Sequence, residues 1–263
     1  MSWLRTRGIL RQNWYVMRHS PMRIFELFYW PVIEVVLWGF ITQYLAGAQA
    51  NLPGGASVLL GAVLLWDLMF RSQQELAITQ LIDVWDRNIV NLYASPLKQS
   101  EYVMGSLIFS IIRVGIGTSF LIVIANAWFG FNLLKLGSIL LPGLGALLVF
   151  GWALGLVIRS AVMRFGSNAE VLAWSLAFLI QPVSAVFYPV SVLPGWLQGV
   201  AHALPTANVF EAMRAYLATG DILGRNLAWA VAQSIGYLGV ASLIAAFTYK
   251  RVRKLGLLAK PGY

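Results

Sequence analysis

VLAWSLAFLIQPVSAVFYPVSVLPGWLQGVAHALPTANVF, residues Val171–Phe210, runs for 40 residues without Asp, Glu, Lys or Arg. A continuous helix of that length would measure roughly 60 Å, about twice the hydrocarbon thickness of a bilayer. Pro182, Pro189, Pro194, Gly195 and Pro205 argue against one. A proline inside a helix lacks the amide hydrogen that the turn needs, and its ring clashes with the turn before. The stretch therefore reads as one span over about 167–189, followed by an apolar segment, 190–222, that dips into the membrane or lies at its surface and turns back. Non-helical backbone at membrane depth survives only where protein or water covers it, so this segment is expected to pack on a bundle.

Outward from it, the chain supplies five more apolar runs. They fall at about 24–46 and 55–77, from near Glu101 through the uncharged Val114–Leu134, at Leu136–Ile158, and at Asn226–Tyr249. Gly47, Pro53, Gly54 and Gly55 separate the first two. The whole is read as an all-α membrane protein, one membrane domain over 1–263 with six transmembrane helices. Composition agrees: 59% of the 263 residues are hydrophobic, 11% are charged and mean hydropathy is +0.72. An ordinary soluble domain carries about 25% charged residues. A soluble enzyme, a disordered tail and a nucleic-acid-binding domain are excluded on these grounds. Cysteine is absent, so there is no disulfide, thiolate nucleophile or Cys-based metal site.

The net charge of +9 reads as topogenic. Arg5, Arg7, Arg11, Arg18 and Arg23 precede the first span, and Lys250, Arg251, Arg253, Lys254 and Lys260 follow the last. Arg87 and Lys98 fall between spans two and three, and Arg159 and Arg164 between four and five. The other side holds only Lys135, Arg214 and Arg225. By the positive-inside rule both termini are expected in the cytoplasm. The first 23 residues are too rich in arginine for a cleavable signal peptide. Trp3, Leu10, Trp14 and Met17 recur there at helical spacing, which describes an amphipathic helix over 1–22 lying in the cytoplasmic interface; a basic leader that merely fixes topology is the plainer alternative.

Charges inside spans are rare and usually face a bundle interior or a cavity. Glu34, Asp67, Arg71, Glu75 and Arg113 qualify. Asp67, Arg71 and Glu75 are spaced by four and share a helix face, so Arg71 can pair with either acid. Glu34, Asp67 and Arg113 each lie ten to twelve residues into a span, near the midplane. They form either a structural ion-pair network or the lining of a substrate path. Between spans two and three the polar stretch within 78–100 places Ile89, Leu92 and Tyr93 at helical spacing before the Ser95-Pro96 stop. A short amphipathic helix with exposed apolar residues there reads as a docking element for another protein, or as a loop helix resting on the bilayer. No phosphate-binding G-x-x-x-x-G-K-[ST] occurs, and His19 and His202 are far apart, which leaves neither a nucleotide cradle nor a His-based metal site. From these residues, an ion-coupled transporter acting alone, with Glu34 and Asp67 as proton carriers, and an intramembrane lipid-modifying enzyme are two open readings.

Two stretches carry a family resemblance. FYPVSVLPGWLQGVAHALPTANVFEAMR, Phe187–Arg214, and RNIVNLYASPLK, Arg87–Lys98, resemble the span-five exit and the cytoplasmic S-P-(apolar)-(basic) run of type-2 ABC exporter permeases. The resemblance implies that Arg87, Asn88, Ile89, Asn91, Leu92, Ser95, Pro96 and Leu97 belong to a coupling helix that docks on a separate ABC ATPase subunit. It further implies a re-entrant hairpin after the fifth span whose Tyr188, Pro189, Pro194, Trp196 and Pro205 form part of an outer gate. The implied assembly is two permease chains, identical by expectation, with two ATPases that bind the ATP and Mg. This chain would bind no cofactor and sit among lipids of the inner (plasma) membrane. Gln12–Arg23 departs from the basic motif that polysaccharide exporters carry before span one. The cargo therefore stays open between amphipathic small molecules, lipid-like compounds and lipid-linked glycans.

Overall fold

The computed structural model describes residues 2–47 and 57–256. The expected break at Pro53, Gly54 and Gly55 lies outside the described residues, as does Lys260. The described residues fold into helices joined by turns and short 3-10 segments, with no strand among them. In chain order these are α1 (Trp3–Arg18), α2 (Pro21–Gly47), α3 (Ser57–Trp85), α4 (Ile89–Ala94), α5 (Gln99–Phe129), α6 (Leu140–Phe165), α7 (Glu170–Ile180), α8 (Gly195–Ala203), α9 (Pro205–Thr219) and α10 (Gly224–Lys254). Among the described residues, four stretches are long and apolar enough to cross a membrane: Pro21–Gly47, Gln99–Phe129, Leu133–Val183 and Gly224–Lys254. The chain is thus a multi-pass, all-helical membrane protein.

α3 is the axis of the bundle. Its turns from Val58 to Met69 are buried without a break, and α2, α5, α6, α7 and α9 all pack on it. The α3–α6 contact is tight because α6 presents glycine to it. A Cβ on Gly151 would stand 2.5 Å from the Met69 carbonyl oxygen and 2.7 Å from Ser72 Cβ. One on Gly155 would stand 2.7 Å from the Gln73 carbonyl oxygen. The Gly151-x-x-x-Gly155 spacing lets the two backbones approach, as small residues do in membrane bundles. These contacts advance along both helices together, so α3 and α6 run parallel. α5 runs against α3, with Tyr102 beside Asp83 and Arg113 beside Glu75. α2 also runs against it, with Leu27 at Arg71. α10 follows α6, bringing Tyr237 to Phe150 and Ala241 among Leu76, Ala153 and Leu156. The C-terminal end of α10 therefore comes to the end of the bundle where α1 docks. There Thr6 and Ile9 of α1 are buried against α5, with Ile9 in the notch that Gly105 leaves.

Several element boundaries differ from the sequence expectation; α6 runs on past Ile158 to Phe165, so Arg159 and Arg164 lie on it and not in a loop. α3 continues to Trp85, so residues 78–85 are its last two turns and not the start of a loop. Gln73, Gln80 and Asp83 are buried among neighbouring helices, which lets a polar sequence stay helical. The fourth helix starts at Leu140, because Gly137, with φ 51 and ψ −128, breaks the chain before it. The stretch expected to span over 167–189 contains a helix of only 11 residues, α7, then a 3-10 turn at Gln181–Val183. Pro182 ends the regular helix there. α7 measures roughly 16 Å at 1.5 Å per residue, about half the hydrocarbon thickness. It returns antiparallel along α3: Ala169 lies with Ala77 and Leu81, Gln73 Nε2 donates to the Ala173 carbonyl at 2.9 Å, and Phe178 meets Phe70.

Gly151→Val and Gly155→Val should each cost about 1–3 kcal/mol, because the added atoms meet backbone that cannot yield. Gly145→Val, at a site with open space around the Cβ, should cost little. Thermal unfolding of the detergent-solubilised protein checks this; equal losses at Gly145 and Gly151 would contradict the packing.

Candidate functional site

Three groups of residues carry the candidate chemistry, one at mid-bundle and one at each end. At mid-bundle two ion pairs stand one above the other. Arg71 Nε donates to Asp67 Oδ2 at 2.6 Å, one turn away on α3. Its Nη1 donates to the Leu27 carbonyl of α2 at 3.1 Å. Arg113 Nη1 of α5 donates to Glu75 Oε2 at 2.7 Å. Of the two acids open to Arg71 in the sequence, it takes Asp67, and Glu75 takes the arginine of another helix. Glu34 lies within electrostatic reach of Asp67 and Arg71, yet no ion pair to it is formed among the described residues. Arg113 sits two turns of α3 away from Asp67, so the three groups expected at one level do not form one cluster.

At the α1 end lies the short helix α4 with its flanks. Arg87, at φ 54, is exposed, and the backbone turns there from α3 into α4. Asn88 is half-buried; its amide donates to the Asp83 carbonyl at 2.9 Å and its Nδ2 to Asp83 Oδ1 at 3.2 Å. Ile89 was expected on an exposed apolar face, and its position corrects that. It is 6% exposed and plugs a cluster of Ala77, Leu81, Val84, Ile158, Val162, Ala169 and Ala173. A six-residue helix cannot stand alone, so it spends its best apolar residue on anchorage. Among the side chains described, Asp86, Arg87, Asn91, Ala94, Ser95 and Pro96 face outward, with Leu92 and Leu97 partly covered; the side chain of Tyr93 lies outside the described residues. The Ser95 hydroxyl donates to the Leu92 carbonyl at 2.6 Å and closes the helix. The Pro96 carbonyl accepts from Arg5 Nη1 of α1 at 2.5 Å.

Nothing local in the sequence signals the hub beneath α4. Asp83 is buried, and its carboxylate accepts from the Tyr102 hydroxyl, Asn88 and Gln12 Nε2, the last at 3.3 Å. Glu101 ties α1 to the same end, accepting from the Ser2 amide at 2.6 Å and the Lys98 amide at 3.0 Å.

At the opposite end the chain leaves α7 and returns through α8 and α9. Tyr188 donates its hydroxyl to the Pro182 carbonyl, and Pro189 leads into a 3-10 turn. Phe187 stacks on Trp38 of α2 at 4.3 Å. Pro194 and Pro205 begin α8 and α9. Trp196 is exposed, whereas Pro205 is buried. Glu211 and Arg214, readable as a simple pair, do more. Glu211 Oε1 accepts from the Val190 amide at 2.7 Å and from Arg214 at 3.0 Å, and Arg214 Nη1 donates to the Val186 carbonyl at 3.2 Å. The α9 side chains thereby satisfy backbone groups that a non-helical turn leaves open.

Residues 9–218 match the family model described as ABC-2 type transporter. The chain belongs to this family. A search of curated proteins found no significant match. Membership makes the chain the permease component of an ABC transporter and implies association with an ABC ATPase. The matched residues include the ion pairs, the α4 segment and the α8–α9 return.

Asp67→Asn should destabilise the permease by about 3–5 kcal/mol, because it leaves the Arg71 charge without its acid inside the bundle. The double variant Asp67→Asn/Arg71→Gln should recover most of that loss. Thermal unfolding and monodisperse yield measure it, and a double variant as damaged as the sum of two singles would contradict the pairing.

Proposed function

We propose that this chain is the half-unit of an ATP-driven exporter, working as two identical copies with two ATPases that bind ATP and Mg. The family match carries this reading. The seat of α4, anchored by Ile89 and open on its far face, supports its use as the coupling helix. The cargo is amphipathic, lipid-like or a glycan, and it leaves the cytoplasm or the inner leaflet across the inner membrane.

The chain crosses six times in this reading. α2 and α5 run outward, α3, α6 and α10 inward, and α7 with its following turns is the short fifth passage. Both termini are cytoplasmic, where the basic residues collect. α1 lies in the interface, with Trp3, Leu4, Trp14 and Tyr15 exposed beside its arginines. The return at 184–194 and helices α8 and α9 form the re-entrant outer gate. Its exposed Trp196 suits a membrane–water boundary. ATP closes the ATPases on one another, α4 moves as a lever, and the helices seated around it reorient. Glu34 and the Asp67–Arg71 pair face the path of the cargo between the two copies, and the Glu75–Arg113 pair holds α5 to α3.

Leu92→Asp and Arg87→Glu should lower transport per ATP hydrolysed by about tenfold or more, the scale of a misplaced charge at a packed interface. Leu92 is half-covered and Arg87 exposed, so the chain itself should fold and reach the membrane as before. Reconstituted vesicles containing permease and ATPase provide the assay. Full transport, with the ATPase recovered at the original yield, would overturn the docking role of α4.

A further inference from the structure

Arg159 of α6 is 1% exposed, and none of its three guanidinium nitrogens donates a hydrogen bond to a described residue. Its guanidinium carbon lies 4.1 Å from the centroid of the Tyr102 ring, a cation–π contact. On the same ring, the Tyr102 hydroxyl donates to Asp83 Oδ2. A buried cation and a buried carboxylate thus share one small volume with a phenol between them. A guanidinium carries five N–H donors, and leaving them unmet in the interior is costly. A direct charge pair between the same two residues would relieve that cost. Such a pair would have Tyr102 give up its place on Asp83.

Asp83 is also the residue that holds α4. It accepts from Asn88 through its side chain and its backbone carbonyl, and from Gln12 of α1. A push on α4 is therefore felt first at Asp83. Ile89 carries the same push to α6, two turns of which supply Ile158 and Val162 to its seat on either side of Arg159. The residue α4 pulls on and the residue α4 leans against are the two charges that Tyr102 separates.

We propose that Asp83, Tyr102 and Arg159 form a latch, in which Asp83 exchanges its Tyr102 hydrogen bond for a direct pair with Arg159 when nucleotide moves α4. The arrangement described above is the relaxed one, with no force on α4. Tyr102 and Arg159 act as positioning residues for α4; neither is placed against cargo. The proposal rests on the ATP-driven permease reading.

The chain contains no cysteine, so an introduced pair reports alone on its own separation. The experiment uses the full permease–ATPase complex in membranes, with Asp83→Cys/Arg159→Cys and a short bis-thiol reagent. Cross-linking should be several-fold faster with a non-hydrolysable ATP analogue than without nucleotide. Equal rates in a complex shown to contain the ATPase would overturn the latch and leave the permease reading standing. Absence of any ATPase from the purified complex would overturn both. Because that pair removes two buried charges, Tyr102→Phe gives a gentler second test. It keeps the ring over Arg159 and removes only the hydroxyl. Substrate-independent ATP hydrolysis should rise by about threefold to tenfold, the range that matches the net worth of one hydrogen bond, while yield stays unchanged. A purely structural Tyr102 predicts instead that hydrolysis, transport and yield fall together, and that result would overturn the proposal.

Discussion

Lipid offers no partner to a polar side chain, and α3 carries Asp67, Arg71, Ser72, Gln73, Gln74 and Glu75 within three turns. The bundle is arranged around this constraint. α6 approaches through Gly151 and Gly155 and seals the Ser72–Gln73 face. α7 reaches just far enough to offer the Ala173 carbonyl to Gln73. α2 offers the Leu27 carbonyl to Arg71, and α5 offers Arg113 to Glu75. Each neighbour thus meets α3 through a polar or close-packed contact that hydrocarbon could not supply. The same polar residues leave α3 less apolar than α2, α5 and α6, and the wrapping lets it sit among them.

The wrapped helix also joins the two ends of the molecule. Its last turns hold Asp83 and with it α4, while its first turns lie under α9, where Met213 reaches Gly61. At the α4 end, Glu101 and Asp83 tie α1 to the same mechanical unit through Ser2 and Gln12. At the other end, Glu211 and Arg214 hold the return after α7 by capping its loose backbone groups. A rigid element packed on most sides transmits a shift better than it absorbs one, since tightly packed interiors have little slack.

Much of this was legible in the sequence. Long uncharged runs mark α2, α5, α6 and α10, and the four prolines of Pro182–Pro205, with Gly195, mark the broken stretch. The spacing of Asp67, Arg71 and Glu75 marks a shared face, though which acid Arg71 takes depends on where Arg113 of another helix arrives. Ile89 illustrates the limit of periodicity. Helical spacing places it beside Leu92, and only the neighbouring α3, α6 and α7 show that Ile89 itself turns inward while Leu92 stays half-covered. The extent of α3 past residue 77 was hidden for a similar reason: Gln80 and Asp83 look like loop residues until Tyr102 and Gln12 come to meet them. Arg159 looked like a topogenic charge in a short loop, because nothing local betrays a cation–π contact with a tyrosine 57 positions earlier.

The central claim is that this ABC-2 permease works as two copies driven by a separate ATPase. The mass of the intact complex, drawn from its native membrane by a tag on this chain, tests it most directly. The account predicts a complex of two permease chains and two ATP-binding subunits. A chain recovered without any nucleotide-binding subunit, and moving cargo on a proton gradient alone, would contradict it.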